Sequence, residues 1–207
     1  MPLTPNAITL LSLPLSALAA FFLYQGSSYL AALFIALSGG CDLLDGYLAK
    51  RRGLATPFGA FLDSTVDRIA ELVIFMGILF FYLRVGSFVT AGVTYWAMGG
   101  SFVVSYARAR AENLIPNCRV GFWERPERIA LTLLGLLAGR LKTALWILAF
   151  GTTVTALHRI LHTRSTLNEK PIHPLQHLFF KHHSRKSWPY RIYVLLVILL
   201  TLAVRLP

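Results

Sequence analysis

The segment CDLLDGYLAKRRGLATPFGAFLDSTVDR, residues 41–68, holds Asp42, Asp45, Asp63 and Asp67, nearly half of the nine acidic residues in a chain of 207. The sequence around it is apolar, 56% hydrophobic and only 14% charged overall. Ile8–Leu23 and Tyr29–Leu37 precede the segment, and Ile69–Leu83 and Phe88–Val104 follow it. Such runs reach or approach the roughly 20 residues that a helix needs to cross a bilayer. They also lack the polar faces of helices around a water-soluble core. Punctuation by proline, glycine and charge predicts helices over 7–24, 28–48, 58–83, 87–111, 127–139 and 142–161. The first opens at TPNAIT, where Pro5 suits a helix start and Thr4 or Asn6 suits its cap. The expected fold class is an all-α polytopic membrane protein, six helices in one bundle, because helices satisfy their own backbone in lipid. A seventh apolar stretch, 191–206, is short for a span. It either crosses, with bilayer thinning and snorkelling of Arg191 and Arg205, or lies against the bundle. Met1–Ala20 has no basic leader and no clear cleavage site, so it reads as a retained first helix.

Twenty basic residues against nine acidic ones give a net charge of +11. They collect in Lys50–Arg52, Arg108–Arg128 and Arg159–Arg191, while the connections near 25–28, 84–87 and 139–142 carry none, one and two. Threading the helices from a cytoplasmic N-terminus puts the three rich regions on one side, as the positive-inside rule expects. The chain is thereby placed in the cell membrane with its carboxylates facing the cytoplasm, against anionic headgroups and acidic substrates. No soluble basic domain is present to carry nucleic acid. Cys41 and Cys118 have neither disulfide-framework nor zinc-ligand spacing. All six histidines fall between His158 and His183: His158, His162, His173, His177, His182 and His183. Glu169 is their only acidic neighbour and Pro171 and Pro174 break the local helix, so they read as a basic interfacial loop rather than a metal site. The organisation expected is a transmembrane domain over 1–164, then a His-rich loop and a hydrophobic segment over 165–207.

Spacings of i,i+3 for Asp42 and Asp45 and i,i+4 for Asp63 and Asp67 put each pair on one helix face. Gly46 and Gly59, without a Cβ, permit close approach of backbone or substrate. Carboxylates in a membrane cost several kcal/mol unless paired or metal-bound. Mg²⁺ or Mn²⁺ solve this, since both take hard oxygen ligands and commonly share a site with substrate phosphates. Two such ions clamp a phosphate, and one carboxylate is left to take a proton from an attacking hydroxyl. The competing reading is a membrane cation transporter, whose carboxylates would be spread near the midplane of several helices. Here they gather at the ends of two adjacent helices.

Read as D-x2-D-G-x2-A-[KR]-x8-G-x3-D-x3-D, residues 42–67 resemble the signature of the CDP-alcohol phosphotransferase family. The resemblance implies six spans, usually a homodimer, and transfer of a phosphatidyl-type group from a CDP-linked lipid to an alcohol with release of CMP. It implies that Asp42, Asp45 and Asp63 ligate two metal ions, with Asp67 completing the site and acting as the catalytic base. Asn6, Gly46, Lys50 and Thr56 match family positions that contact the CDP-lipid. Lys50 stands where the family usually has arginine, keeping the charge without the planar fork.

SYARARAE (105–112), GFWERPERI (121–129) and LHRILHT (157–163) bring arginines to the same membrane side, as a phosphorylated acceptor would require. Ordinary positive-inside topology, with arginines paired to Glu112, Glu124 or Glu127, is the plainer reading of the same residues. The wording of these segments resembles the phosphatidylinositol phosphate synthase branch, which implies that Arg108, Arg128 and Arg159 hold the phosphate of inositol phosphate. Arg108 replaces the lysine common there. The implied donor is CDP-diacylglycerol, or CDP-archaeol in an archaeal source. The alternative acceptor is glycerol 3-phosphate, as in phosphatidylglycerophosphate synthases.

Overall fold

The computed structural model describes residues 4–168 and 188–204, and every regular element among them is a helix. These are α1 (Pro5–Gln25), α2 (Ser28–Arg51), α3 (Pro57–Arg84), α4 (Phe88–Ala111), α5 (Arg125–Leu137), α6 (Leu141–Leu167) and α7 (Trp188–Ala203). Helices α1, α2 and α6 are long and apolar enough to cross a membrane. The chain is an all-α polytopic membrane protein, six helices and a seventh. Each expected helix is present, with ends moved by a few residues. Helix α5, at 13 residues, rises about 20 Å, less than the roughly 30 Å of a hydrocarbon core. His173, His177, His182, His183 and Arg205 lie outside the described residues; His158 and His162 lie on α6, their ring centroids 6.4 Å apart.

The chain divides within α4 into two compact units, the boundary in sequence falling between Tyr95 and Trp96. In the first, α1 packs against both α2 and α3. Its start is fixed by Thr4, the cap of the two candidates that the structure uses: Thr4 Oγ1 accepts from the Ala7 amide. Its end is a Schellman turn at Gly26 (φ 82°), where the Gly26 amide donates to Leu23 O and the Ser27 amide to Phe22 O. Thr56 caps α3 in the same way, accepting from the Gly59 amide at 3.0 Å. At Gly77 the backbones of α3 and α1 approach closely: an added Cβ would fall 2.6 Å from the Ala20 backbone. Gly46 has nothing within 4 Å of the same point. The glycine that lets backbones touch therefore lies in the middle of α3, not beside the carboxylates.

A buried hydroxyl seam joins α1 to α2. Ser12 donates to Thr9 O at 2.7 Å and Ser16 to Ser12 O at 2.7 Å. Ser16 and Ser38 share a hydrogen bond of 2.9 Å, and Ser38 reaches Ser12 O at 3.2 Å. With no hydrophobic effect between helices in lipid, small residues and interhelical hydrogen bonds of this kind hold the pair.

In the second unit α4 and α6 run the same way. Trp96 Nε1 donates to Thr153 Oγ1 at 2.9 Å, Gly100 lies against Thr152, and Arg159 Nη1 donates to Val104 O at 2.6 Å. Helix α7 runs alongside α5 and reaches the start of α6. Tyr190 OH donates to Glu127 Oε1 at 2.8 Å at one end, and Thr143 Oγ1 donates to Val204 O at 2.9 Å at the other. It thus runs antiparallel to α6, with Phe122 wedged against Tyr190 and Tyr193. The last apolar stretch forms a seventh helix that packs against α5 and α6.

Candidate active site

Helix α2 continues through Asp42 and Asp45 to Arg51, a short link carries Gly53 at φ 64°, and α3 begins at Pro57. This geometry returns the chain so that Asp63 and Asp67, in the first three turns of α3, meet the last turns of α2. Asp42, Asp63 and Asp67 are half-buried and each offers a carboxylate oxygen within 4.8 Å of the others. Arg68 Nη1 lies 3.9 Å from Asp67 Oδ2, an ion pair longer than a hydrogen bond. The fourth motif carboxylate is placed differently. Asp45 is only 4% exposed, lies outside that group of three, and accepts through Oδ2 from the Thr9 hydroxyl of α1. Asp45 sits about 60° around α2 from Asp42, and α1 packs against α2 there. Asp45 is thereby swung toward α1.

Thr9 is the residue that sequence reasoning missed. Its Oγ1 also lies 3.1 Å from Pro5 O, so one hydroxyl ties the start of α1 to the carboxylate of α2. The signal was legible as Thr9, Ser12 and Ser16 at helical spacing on an otherwise apolar helix. Glu71, buried one turn after Asp67, extends the i,i+4 series on α3 and was also passed over.

Asn6 and Thr56 come together over Gly59. A Cβ added there would lie 3.1 Å from Thr56 Oγ1 and 3.4 Å from Asn6 Oδ1. Gly46 and Lys50 are exposed on the last turns of α2, with open space over Gly46.

In the second unit the three arginines are held by main chain and glutamate. Arg128 and Arg159 are each 2% exposed. Arg128 Nη1 donates to Trp123 O at 2.9 Å, and Arg159 Nε and Nη1 donate to Val120 O at 3.0 Å and Val104 O at 2.6 Å. Arg108 pairs with Glu112 at 3.0 Å and with Glu124 Oε1 at 3.1 Å. The same Glu124 oxygen stands 3.8 Å from Arg159 Nη2, a buried nitrogen that makes no hydrogen bond. Glutamate pairing, the plainer reading of these arginines, is thus real, but it leaves donor capacity on Arg159.

The profile of the family described as CDP-alcohol phosphatidyltransferase matches residues 2–180. The chain belongs to that family. As a CDP-alcohol phosphatidyltransferase it is a transferase of the membrane. It is 32% identical over 166 residues to the archaetidylinositol phosphate synthase of Pyrococcus horikoshii, covering 80% of this chain and 86% of that one. It is 36% identical over 176 residues to the phosphatidylinositol phosphate synthase of Mycobacterium tuberculosis, covering 78% and 79%. A crystal structure of the latter synthase with CDP-DAG bound superposes with a TM-score of 0.74 at 32% identity, covering 80% of this chain and 88% of that one. A crystal structure of the same enzyme in complex with manganese and citrate gives 0.70 at 33%, covering 78% and 82%.

Proposed function

We propose that this chain transfers the phosphatidyl group of CDP-diacylglycerol, or of CDP-archaeol, to a hydroxyl of inositol phosphate, yielding phosphatidylinositol phosphate or its archaeol counterpart and CMP. The observation that carries the chemistry is the meeting of Asp42, Asp63 and Asp67 oxygens within 4.8 Å at the ends of two helices. The names of the relatives and the buried donor left on Arg159 support the acceptor.

An all-oxygen, half-buried cluster of this kind fits a hard divalent cation. Asp42, Asp63 and Asp67, with Asp45, would hold two Mg²⁺ ions, Mn²⁺ substituting, which when bound neutralise the diphosphate and polarise its phosphorus. Asn6, Gly46, Lys50 and Thr56 receive the CDP moiety, the bare backbone at Gly46 leaving room and Lys50 supplying charge. Asp67 accepts the proton of the acceptor hydroxyl as the new P–O bond forms, and the electron pair of the broken P–O bond leaves with CMP. Arg108, Arg128 and Arg159 grip the acceptor's phosphate, so that binding energy remote from the reacting atoms orients the hydroxyl. The enzyme works as a homodimer in the cytoplasmic membrane with this site toward the cytoplasm, a reading supported by the distribution of basic residues.

The decisive assay is CMP release by purified protein given CDP-diacylglycerol, Mg²⁺ and one acceptor at a time: inositol phosphate, glycerol 3-phosphate, free inositol or serine. Turnover is expected with inositol phosphate alone. Turnover with glycerol 3-phosphate instead would keep the chemistry and overturn the acceptor. Silence with all four, and with CDP-archaeol, would sink the reading.

Thr9 adds a second expected outcome. Thr9→Val keeps the shape and removes the donor to Asp45, so Mn²⁺ affinity measured by electron paramagnetic resonance should fall about 10-fold or more, as for other outer partners of metal-binding side chains. Thr9→Ser should restore it. Equal affinity in wild type and Thr9→Val would show that the bond does not position the carboxylate.

A further inference from the structure

Helices α4 and α6 touch closely at Gly100 and Thr152, and a crevice lies between them toward their C-terminal ends. Its volume is about 530 Å³, within the roughly 300–1,000 Å³ of sites that hold small molecules. Its walls are apolar, with Val103 and Tyr106 of α4, Leu114 beyond it, and Ile160 and Leu167 of α6, all exposed. Arg110 and Arg164 line it from the last turns of the two helices. Among the described residues neither forms an ion pair, in contrast to Arg108, two residues before Arg110, which is paired with Glu112 and Glu124. Arg159 contributes to the lining, but its Nε and Nη1 are committed to Val120 O and Val104 O.

We propose that this crevice binds an anionic phospholipid, one acyl chain between α4 and α6 and the phosphate between Arg110 and Arg164. Two features together select that ligand. Exposed leucine, isoleucine, valine and tyrosine side chains offer nothing to a soluble polyol phosphate, whereas an acyl chain fills the space with contacts. Two arginines on the parallel ends of membrane helices sit at headgroup depth, where each is attracted to anionic lipid. They also lie at helix C-termini, whose unsatisfied carbonyls favour cations there and hold the guanidiniums in place. The connection following α6 is an unsuitable occupant. Residues 169–187 carry Lys170, Lys181, Arg185 and Lys186 against Glu169 alone, the same sign as the crevice arginines. No motif carboxylate lines the crevice, and the lipid phosphate is assigned to Arg110 and Arg164 rather than to Arg159, which the acceptor reading uses.

The test is native mass spectrometry of the full chain, exchanged into detergent with phosphatidylglycerol or phosphatidylcholine of identical acyl chains. Wild type is expected to retain phosphatidylglycerol in preference. The double variant Arg110→Gln, Arg164→Gln should weaken that retention by about 30-fold, the effect of removing two interfacial arginines from an anionic lipid. Ile160→Trp, which fills the crevice and leaves both charges, should also release the lipid. CMP release in detergent, with CDP-diacylglycerol the sole lipid added, serves as the control that both variants are folded, since no residue of the carboxylate cluster lines the crevice. Equal retention of the two lipids by wild type, or undiminished phosphatidylglycerol on the double variant, would overturn the site as an adventitious amphiphile only. Displacement of the lipid by millimolar inorganic phosphate would overturn it differently, by making the arginines a soluble-phosphate site.

Discussion

Replacing Asp67 by asparagine should leave a folded protein that still takes up a divalent cation and releases CMP about 10²–10⁴-fold more slowly, the usual worth of a positioned general base. The amide has the size of the carboxylate and can still offer an oxygen beside Asp42 and Asp63, so the group of three keeps its shape. What it cannot do is take a proton. Asp42→Asn provides the contrast, since Asp42 would act only as a ligand. There the loss should track metal affinity and be partly recovered by raising the cation concentration, whereas the Asp67→Asn loss should not. Paired measurements of Mn²⁺ binding and CMP release separate the two. Wild-type-like turnover in Asp67→Asn would overturn the base assignment and leave Asp67 a ligand alone.

Arg159→Lys should raise the KM for inositol phosphate by about 10–100-fold, as expected for losing a hydrogen bond of 1.5–3 kcal/mol to a charged group. The KM for the CDP-lipid should stay within about twofold, because that substrate is assigned to residues of α1, α2 and α3. An ammonium is a point donor and cannot reproduce a fork that reaches Val104 O and Val120 O and still has Nη2 in reserve. Arg159→Ala goes further: it strips donors from two carbonyls in a buried setting, at about 1–3 kcal/mol each, and a fall in Tm should accompany lost activity. If Arg159→Lys lowers Tm while both KM values hold, the arginine is a strut between α4, α6 and the 112–124 connection and does not bind the acceptor.

Much of this was written in the sequence. Apolar runs and punctuation located every helix, because a chain in lipid must satisfy its backbone within each segment. Eight positions at set spacing between Asp42 and Asp67 carry the resemblance to the family whose profile matches the chain, and three of their carboxylates come together in the structure. The pairing of Arg108 with Glu112 was also readable, since i,i+4 neighbours meet on any helix.

Other features depend on which helix faces which, and no local pattern reports that. Asp42 and Asp45 share a face of α2 by local spacing, which says nothing of the helix each will meet. Only the packing of α1 against α2 shows that Thr9 receives Asp45 while Asp42 turns to α3. Arg128 and Arg159 look like ordinary members of a basic border; their near-complete burial, and the sharing of Glu124 between Arg108 and Arg159, arise from residues 35 positions apart coming together. The crevice lined by Arg110 and Arg164 depends on how α4 and α6 face each other, and the place of α7 on contacts at both its ends. The sequence by itself determined the helices and the family, because backbone satisfaction in lipid and a motif of fixed spacing are both local. Only the tertiary structure decided which carboxylates meet and which arginines are already engaged, because those depend on distances that close only when the helices pack.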